Sequence, residues 1–145
     1  MSQIRLLTYK QVGRWVHKTI DQQPSIVVPL LLGGDRLACC DEAVAVTTWG
    51  RIRGVATISP SGEDYSGYPA IVGVYVLPTR RQRGYGQQLM EAALRRCQER
   101  GFIQVRIDVT SARLMRIIER LPDDLWAMLD IHDHGDPMGR FQEQR

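Results

Sequence analysis

Residues 77–89 read LPTRRQRGYGQQL. Arg80, Arg81 and Arg83 stand next to Gly84 and Gly86, between an apolar strand-like run and a helix-like run. The start of a helix presents unpaired backbone N–H groups and a partial positive charge, which makes it an anion site. Glycine at 84 and 86 removes side chains that would hold a phosphate away, and permits the positive φ that turns successive N–H groups inward. The guanidinium groups add charge-assisted donors. The set fits a pyrophosphate. Two rival phosphate motifs fail. A P-loop needs a lysine followed by Ser or Thr after its glycines, and none is present. A dinucleotide fingerprint needs a third glycine where Leu89 stands, and Asp108 falls too early in its strand to serve as the ribose-binding acid.

These residues need elements to hold them. "IRLLT" (4–8) reads as a strand, and "YKQVGRWVHKTID" (9–21) sets Val12, Trp15, Val16 and Ile20 at helical spacing, with His17 as a surface or half-buried helix residue. Residues 22–36 form a Pro- and Gly-containing connector with room for a short helix. Residues 42–59 read as a hairpin that turns at Trp49-Gly50-Arg51. Residues 60–69 are loop by composition, and "AIVGVYVL" (70–77) is an apolar run suited to a strand covered on both faces. A helix from about 86 to 100 follows, with Leu89, Met90, Ala93, Leu94 and Cys97 on one face and Gly101 at its C-cap. "FIQVRIDV" (102–109) alternates, placing Ile103, Val105, Ile107 and Val109 on one side. A helix over 111–121 ends at Pro122, and strands are expected at 125–131 and near 138–142. The βαβ unit at 70–109 implies a mixed sheet covered by helices.

The chain has 145 residues, 43% hydrophobic and 24% charged, with a net charge of +3. These values fit one soluble globular domain, 1–145. The charge is too small to indicate nucleic acid, and no aromatic–basic interleaving supports it. No leader or membrane-spanning run is visible, so a cytoplasmic protein is expected. Cys39, Cys40 and Cys97 make no disulfide or metal framework. Residues 121–136 hold five aspartates and no Lys or Arg; they are a solvated loop or a patch for a cationic ligand. His132 and His134 within "HDHGD" read as a polar turn more readily than as metal ligands, and no metal is expected.

The run V-x-P-x-x-R-x-R-G-x-G from Val76 to Gly86 resembles the GNAT superfamily of acyl-CoA N-acyltransferases. Its signature, Arg or Gln, two residues, Gly, one residue, Gly or Ala, is matched by Arg81, Gly84 and Gly86 after a strand and at a helix start. "IERL" (118–121), the hairpin and the N-terminal strand extend the similarity over most of residues 4–121. The resemblance implies an α/β (α+β) fold with a mixed, mostly antiparallel sheet of six to seven strands. It also implies helices on both faces and a splayed central parallel pair. It implies acetyl-CoA as cosubstrate, its pyrophosphate held by Arg81, Gln82, Arg83, Gly84, Tyr85, Gly86 and Gln87. The pantetheine arm would lie along Val74, Tyr75 and Val76, with Ser111 bonding the arm; Ser111 or Thr110 serves equally as a helix N-cap.

The implied reaction is direct attack of an amine on the thioester, helped by a backbone oxyanion donor near Val74 or Tyr75, a general base and a general acid. The sequence departs from the family at both proton-handling positions. Ile118 stands where relatives carry the acid Tyr, and Ala70 stands near where some carry the base Glu. Glu63, Tyr68 and Tyr75 are the substitute candidates, with packing the readier use for Tyr75. The acceptor is a small-molecule amine or the amine of a peptide or protein, without a nucleic-acid or membrane partner, and a homodimer is compatible with this reading. The second reading is a catalytically weak acyl-CoA-binding regulator.

Overall fold

The computed structural model describes residues 2–22, 39–62, 67–77, 84–109 and 111–133. In chain order the elements are β1 (Ser2–Thr8), α1 (Tyr9–Gln22), β2 (Glu42–Thr48), β3 (Arg51–Ser59), β4 (Ala70–Val76), α2 (Tyr85–Glu99), β5 (Val105–Val109), α3 (Ala112–Glu119), α4 (Asp123–Trp126) and β6 (Leu129–Asp133). The strands form one sheet in the order β1-β2-β3-β4-β5-β6. β1 to β4 are antiparallel neighbours, whereas β4–β5 and β5–β6 run parallel. Parallel neighbours require crossovers, which α2 supplies for the first pair and α3 with α4 for the second.

Each face of the sheet has its own core. On one face α2, α3 and α4 bury Leu89, Met90, Ala93, Leu94, Cys97, Ile118 and Leu125 against Val44, Val46, Ile58, Ile71, Val105, Ile107 and Val109. The spacing of the α2 residues is the helical period read from sequence. Burying each leucine there is worth about 1.5–3 kcal/mol. On the other face α1 packs Val12 and Val16 against Leu7, Ala43, Ala45, Val55 and Tyr75, with Trp15 half-buried beside them. A reciprocal cap starts α1: the Thr8 N–H donates to Gln11 Oε1 at 2.9 Å, and the Gln11 N–H donates to Thr8 Oγ1 at 3.3 Å. This is the Thr-x-x-Gln form of the capping box.

The far end of α2 is tied to the start of β2. Arg96 and Arg100 both donate to Glu42, at 2.8 Å and 3.1 Å, and Arg100 reaches Asp41 at 2.7 Å. These carboxylates raise both guanidinium pKa values.

Several expected boundaries move. The hairpin turn is Trp49-Gly50 alone, because Arg51 already pairs with Thr48. Trp49 and Gly50 both have positive φ, 53° and 73°, the type I′ geometry that matches the twist of two-residue hairpins. β5 begins at Val105, and Ile103 is 89% exposed in the connection before the strand, so it does not share the buried side of Val105, Ile107 and Val109. The strand expected at 125–131 is the helical turn α4 followed by β6. Pro122 and the acids Asp123 and Asp124 favour a helix start, and the Asp124 carboxylate pairs with Arg95 of α2. The expected helix within 22–36 and strand near 138–142 lie outside the described residues.

Candidate functional site

The parallel pair β4–β5 is joined by only two register positions, Ala70 with Arg106 and Ile71 with Ile107. Beyond them the strands part toward their C-terminal ends. On its other edge β4 stays paired with β3 through Val76, but the register shifts between Thr57 and Ile58, so that Val72 is an extra residue. A bulge of this kind reverses the alternation of a strand. The Leu77 N–H donates to Arg53 O at 2.9 Å, so Leu77 faces β3. Counting back, Tyr75 and Gly73 also face β3, and the main-chain groups of Val74 and Val76 turn to the side where β5 has parted. Without the bulge, their orientations would be exchanged.

β4 leads through residues 78–83 to the N-terminus of α2. Arg81, Gln82 and Arg83 lie outside the described residues. Gly84 is the N-cap, at φ 76°, and no side chain caps the helix. The first helical bond runs from the Gln88 N–H to Gly84 O at 3.0 Å. Among the described residues, the first turn therefore presents donors that no capping side chain occupies. Gln87 adds a buried Nε2 with no partner among the described residues. A Cβ on Gly84 would meet nothing within 4 Å, so the glycine is there for its φ. Gly86 has a different reason: a Cβ would lie 2.9 Å from Ile117 Cδ1. Its absent side chain lets α3 pack closely, a use distinct from room for a pyrophosphate. Tyr85 packs against the main core. Two glycines, an uncapped helix start and an orphaned amide suit a polyanion with several acceptor oxygens.

The other expected site residues spread out. Tyr75 is 4% exposed, and its ring packs 6.4 Å from that of Trp15 under α1. That is a packing position for the side chain. Tyr68 is exposed just before β4, where the parallel pair is closed by the Arg106 N–H bond to Pro69 O at 2.8 Å. Glu63 lies outside the described residues. Ser111 is the N-cap of α3, its Oγ accepting from the Leu114 N–H at 3.2 Å, directly after β5. Ile118 is fully buried in the main core, so this position points away from solvent. Burial pushes the Cys40 and Cys97 thiols up to about 12, away from the reactive thiolate.

One group of polar residues escaped the sequence reading. Arg106 and Asp108 on β5 stand opposite Asp130 and His132 on β6. Arg106 donates to Asp108 at 3.0 and 3.2 Å, and His132 Nε2 lies 3.0 Å from Asp130 Oδ2. His132 is thus in a strand, not in the polar turn that "HDHGD" suggested. The signal in the sequence is the period-2 placement of charge between Val105, Ile107 and Val109, but a strand at 125–131 ends before His132 and hides its partner. His134 lies outside the described residues.

The sequence matches the model of the acetyltransferase (GNAT) family over residues 16–121. No curated protein matches it. Among solved structures it is similar to a predicted acetyltransferase with acetyl-CoA from Clostridium acetobutylicum, at 18% identity and a TM-score of 0.53, covering 85% of this chain and 91% of that one. It is also similar to AAC(6')-Iy in complex with the bisubstrate analog CoA-S-monomethyl-acetylneamine, at 21% identity and a TM-score of 0.52, covering 80% and 84%. A ribosomal-protein-alanine N-acetyltransferase from Brucella melitensis biovar Abortus 2308 matches at 17% identity and a TM-score of 0.50, covering 72% and 77%.

Proposed function

Because the chain belongs to the GNAT family of acetyltransferases, we propose that it moves an acetyl group from acetyl-coenzyme A to a primary amine by direct attack within a ternary complex. The observation that carries this reading is the parting of β4 from β5 beyond Ile71 and Ile107, beside an uncapped helix start at Gly84. A thioester arm fits the first and a diphosphate the second. Solved relatives of the same fold hold acetyl-CoA or a CoA-linked analogue.

In this reading the backbone from Arg81 to Gln87 holds the diphosphate, and the guanidinium groups of Arg81 and Arg83 neutralise it. The arm takes hydrogen bonds from Val74 and Val76, and the Ser111 hydroxyl meets it from the end of β5. The reversed alternation supports the Val74 N–H, rather than that of Tyr75, as the oxyanion donor of this reading, a contribution of about 3–4 kcal/mol. Aligning both reactants supplies up to about 7–11 kcal/mol more. Tyr68, just before β4, is a group able to handle protons, as is Glu63, which precedes it in the sequence, while the Tyr75 ring serves as a wall. The ribosomal-protein-alanine N-acetyltransferase and AAC(6')-Iy, an aminoglycoside N-acetyltransferase, are named for acceptors that carry amines, which supports an amine acceptor here.

The test is calorimetry with acetyl-CoA, followed by thiol release over a panel of amines. Saturable uptake with turnover supports the enzyme. Uptake without turnover supports the second reading, an acyl-CoA-binding regulator, which Ile118 and Ala70 at the usual acid and base positions favour. No uptake removes both.

A further inference from the structure

We propose that the open face of β5 and β6 is the acceptor site, where Asp108 holds a cationic amine and His132 takes its proton. The proposal rests on the acetyl-transfer reading above and extends it to the class of acceptor and the identity of the base. Four charged or titratable side chains, Arg106, Asp108, Asp130 and His132, project from adjacent register positions on one face. The opposite face of β5, carrying Val105, Ile107 and Val109, is core. Across the same open face, β1 and β2 are covered by α1. Side chains over β5 and β6 remain about a third to a half exposed.

Place and charge both matter. Ile107 is the last residue of β5 that pairs with β4, so Asp108 is the first residue at the parting strands. His132 stands directly opposite it, one strand spacing of about 5 Å further out. Of the four side chains, Arg106 is a cation and Asp108 and Asp130 are carboxylates, an acidic balance that suits an ammonium. His132 has the second feature that a base requires, an orienting partner. Its Nε2 meets Asp130 Oδ2 at 3.0 Å. A carboxylate there fixes the tautomer with the proton on Nε2 and leaves the Nδ1 lone pair to accept. Asp130 is the positioning residue. Arg106 holds Asp108 through two hydrogen bonds and thereby orients it.

The step balances without another reagent. An ammonium gives one proton to His132 Nδ1, which passes it to water. The neutral nitrogen then bonds to the acyl carbon as the carbon–sulfur bond breaks, and its second proton goes to the departing sulfur. An aromatic amine is already neutral near pH 7 and needs neither the carboxylate nor the first proton transfer.

The experiment compares wild type with Asp108→Asn, Asp130→Asn and His132→Gln, using spermidine, neamine and an alanyl peptide as charged acceptors and p-anisidine as the neutral one. His132→Gln should lower kcat/KM for the charged amines about 100-fold and for p-anisidine by less than about threefold, and should remove the acid limb of the pH–rate profile. The groups facing that imidazole are Asp130 on its own strand and Arg106 and Asp108 on β5, with Asp133 next along β6. Asp108→Asn should raise KM for the charged amines about tenfold with little change in kcat. Asp130→Asn should lower kcat for them by a smaller factor than His132→Gln. Acetyl-CoA affinity and melting temperature should hold in all three. Equal losses on charged and neutral amines, or no loss, overturn the proposal. A wild type that takes up acetyl-CoA yet acetylates none of the charged amines overturns it and leaves the coenzyme site standing. Failure of that uptake removes the coenzyme reading itself.

Discussion

Gly54 lies against the carbonyl of Tyr75: a methyl group at 54 would come within 2.7 Å of that oxygen and 3.0 Å of Leu89 Cδ1. Tyr75 is held in register by Val55, so the oxygen cannot yield unless β4 moves. Gly54→Ala should therefore cost about 1–3 kcal/mol in a denaturant melt. It should also weaken acetyl-CoA binding, because the displaced strand carries Val74 and Val76. An alanine that changes neither quantity would show that the close approach is not tight.

Gly84 and Gly86 should separate under substitution. Gly84→Ala meets no neighbour but must hold φ 76°, a backbone cost of about 1–2 kcal/mol. Gly86→Ala keeps ordinary helical geometry and collides with Ile117 Cδ1, the tip of a side chain. Ile117→Val in the same chain should recover much of the Gly86→Ala loss and none of the Gly84→Ala loss. Melts of the two double variants read this directly.

Alkaline pH should destabilise the protein through its buried thiols. Burial raises Cys40 and Cys97 from 9.0 to about 12. The unfolded chain loses these protons first, so the folded state binds more protons between those values. Stability is then fully present below about pH 9 and falls as pH rises toward 12, by about 1.4 kcal/mol per pH unit for each thiol. Urea midpoints from pH 8 to 11 measure the slope. Cys97→Ala should remove one thiol's share, and native protein should resist iodoacetamide.

Trp49 is 91% exposed and holds φ 53°. Asparagine tolerates that conformation better than tryptophan. Trp49→Asn should raise stability by about 1 kcal/mol, seen as a higher melting temperature. A lower one would mean that the indole makes a contact worth more than its strain.

The parts legible in the sequence were those whose pattern is carried by one element alone. Leu89, Met90, Ala93, Leu94 and Cys97 fall on one face of α2 because the 3.6-residue period is local, and all five are buried. Ile103 shows the limit. Its alternation with Val105 is real, but Gly101, at φ 82°, has only just ended the helix, and the chain reaches the sheet only at Val105. The bulge at Val72 could not be read, since Ile71 to Val76 is apolar on both faces and carries no mark of parity. Which amides face the parted strands depends on that bulge, so this part of the site needed the register. The pairing of His132 with Asp108 is likewise a property of two strands, and "HDHGD" alone looks like a turn.

The two register positions that join β4 to β5 make a narrow seam between plates of four strands and two, with α2 lying on the larger plate and α3 against β5. A molecule wedged along such a seam acts as mortar. Hydrogen exchange at Val74, Val76 and Asp108 should slow on saturation with acetyl-CoA far more than exchange inside either plate, and the protein should stiffen along that line while its outer strands keep their freedom.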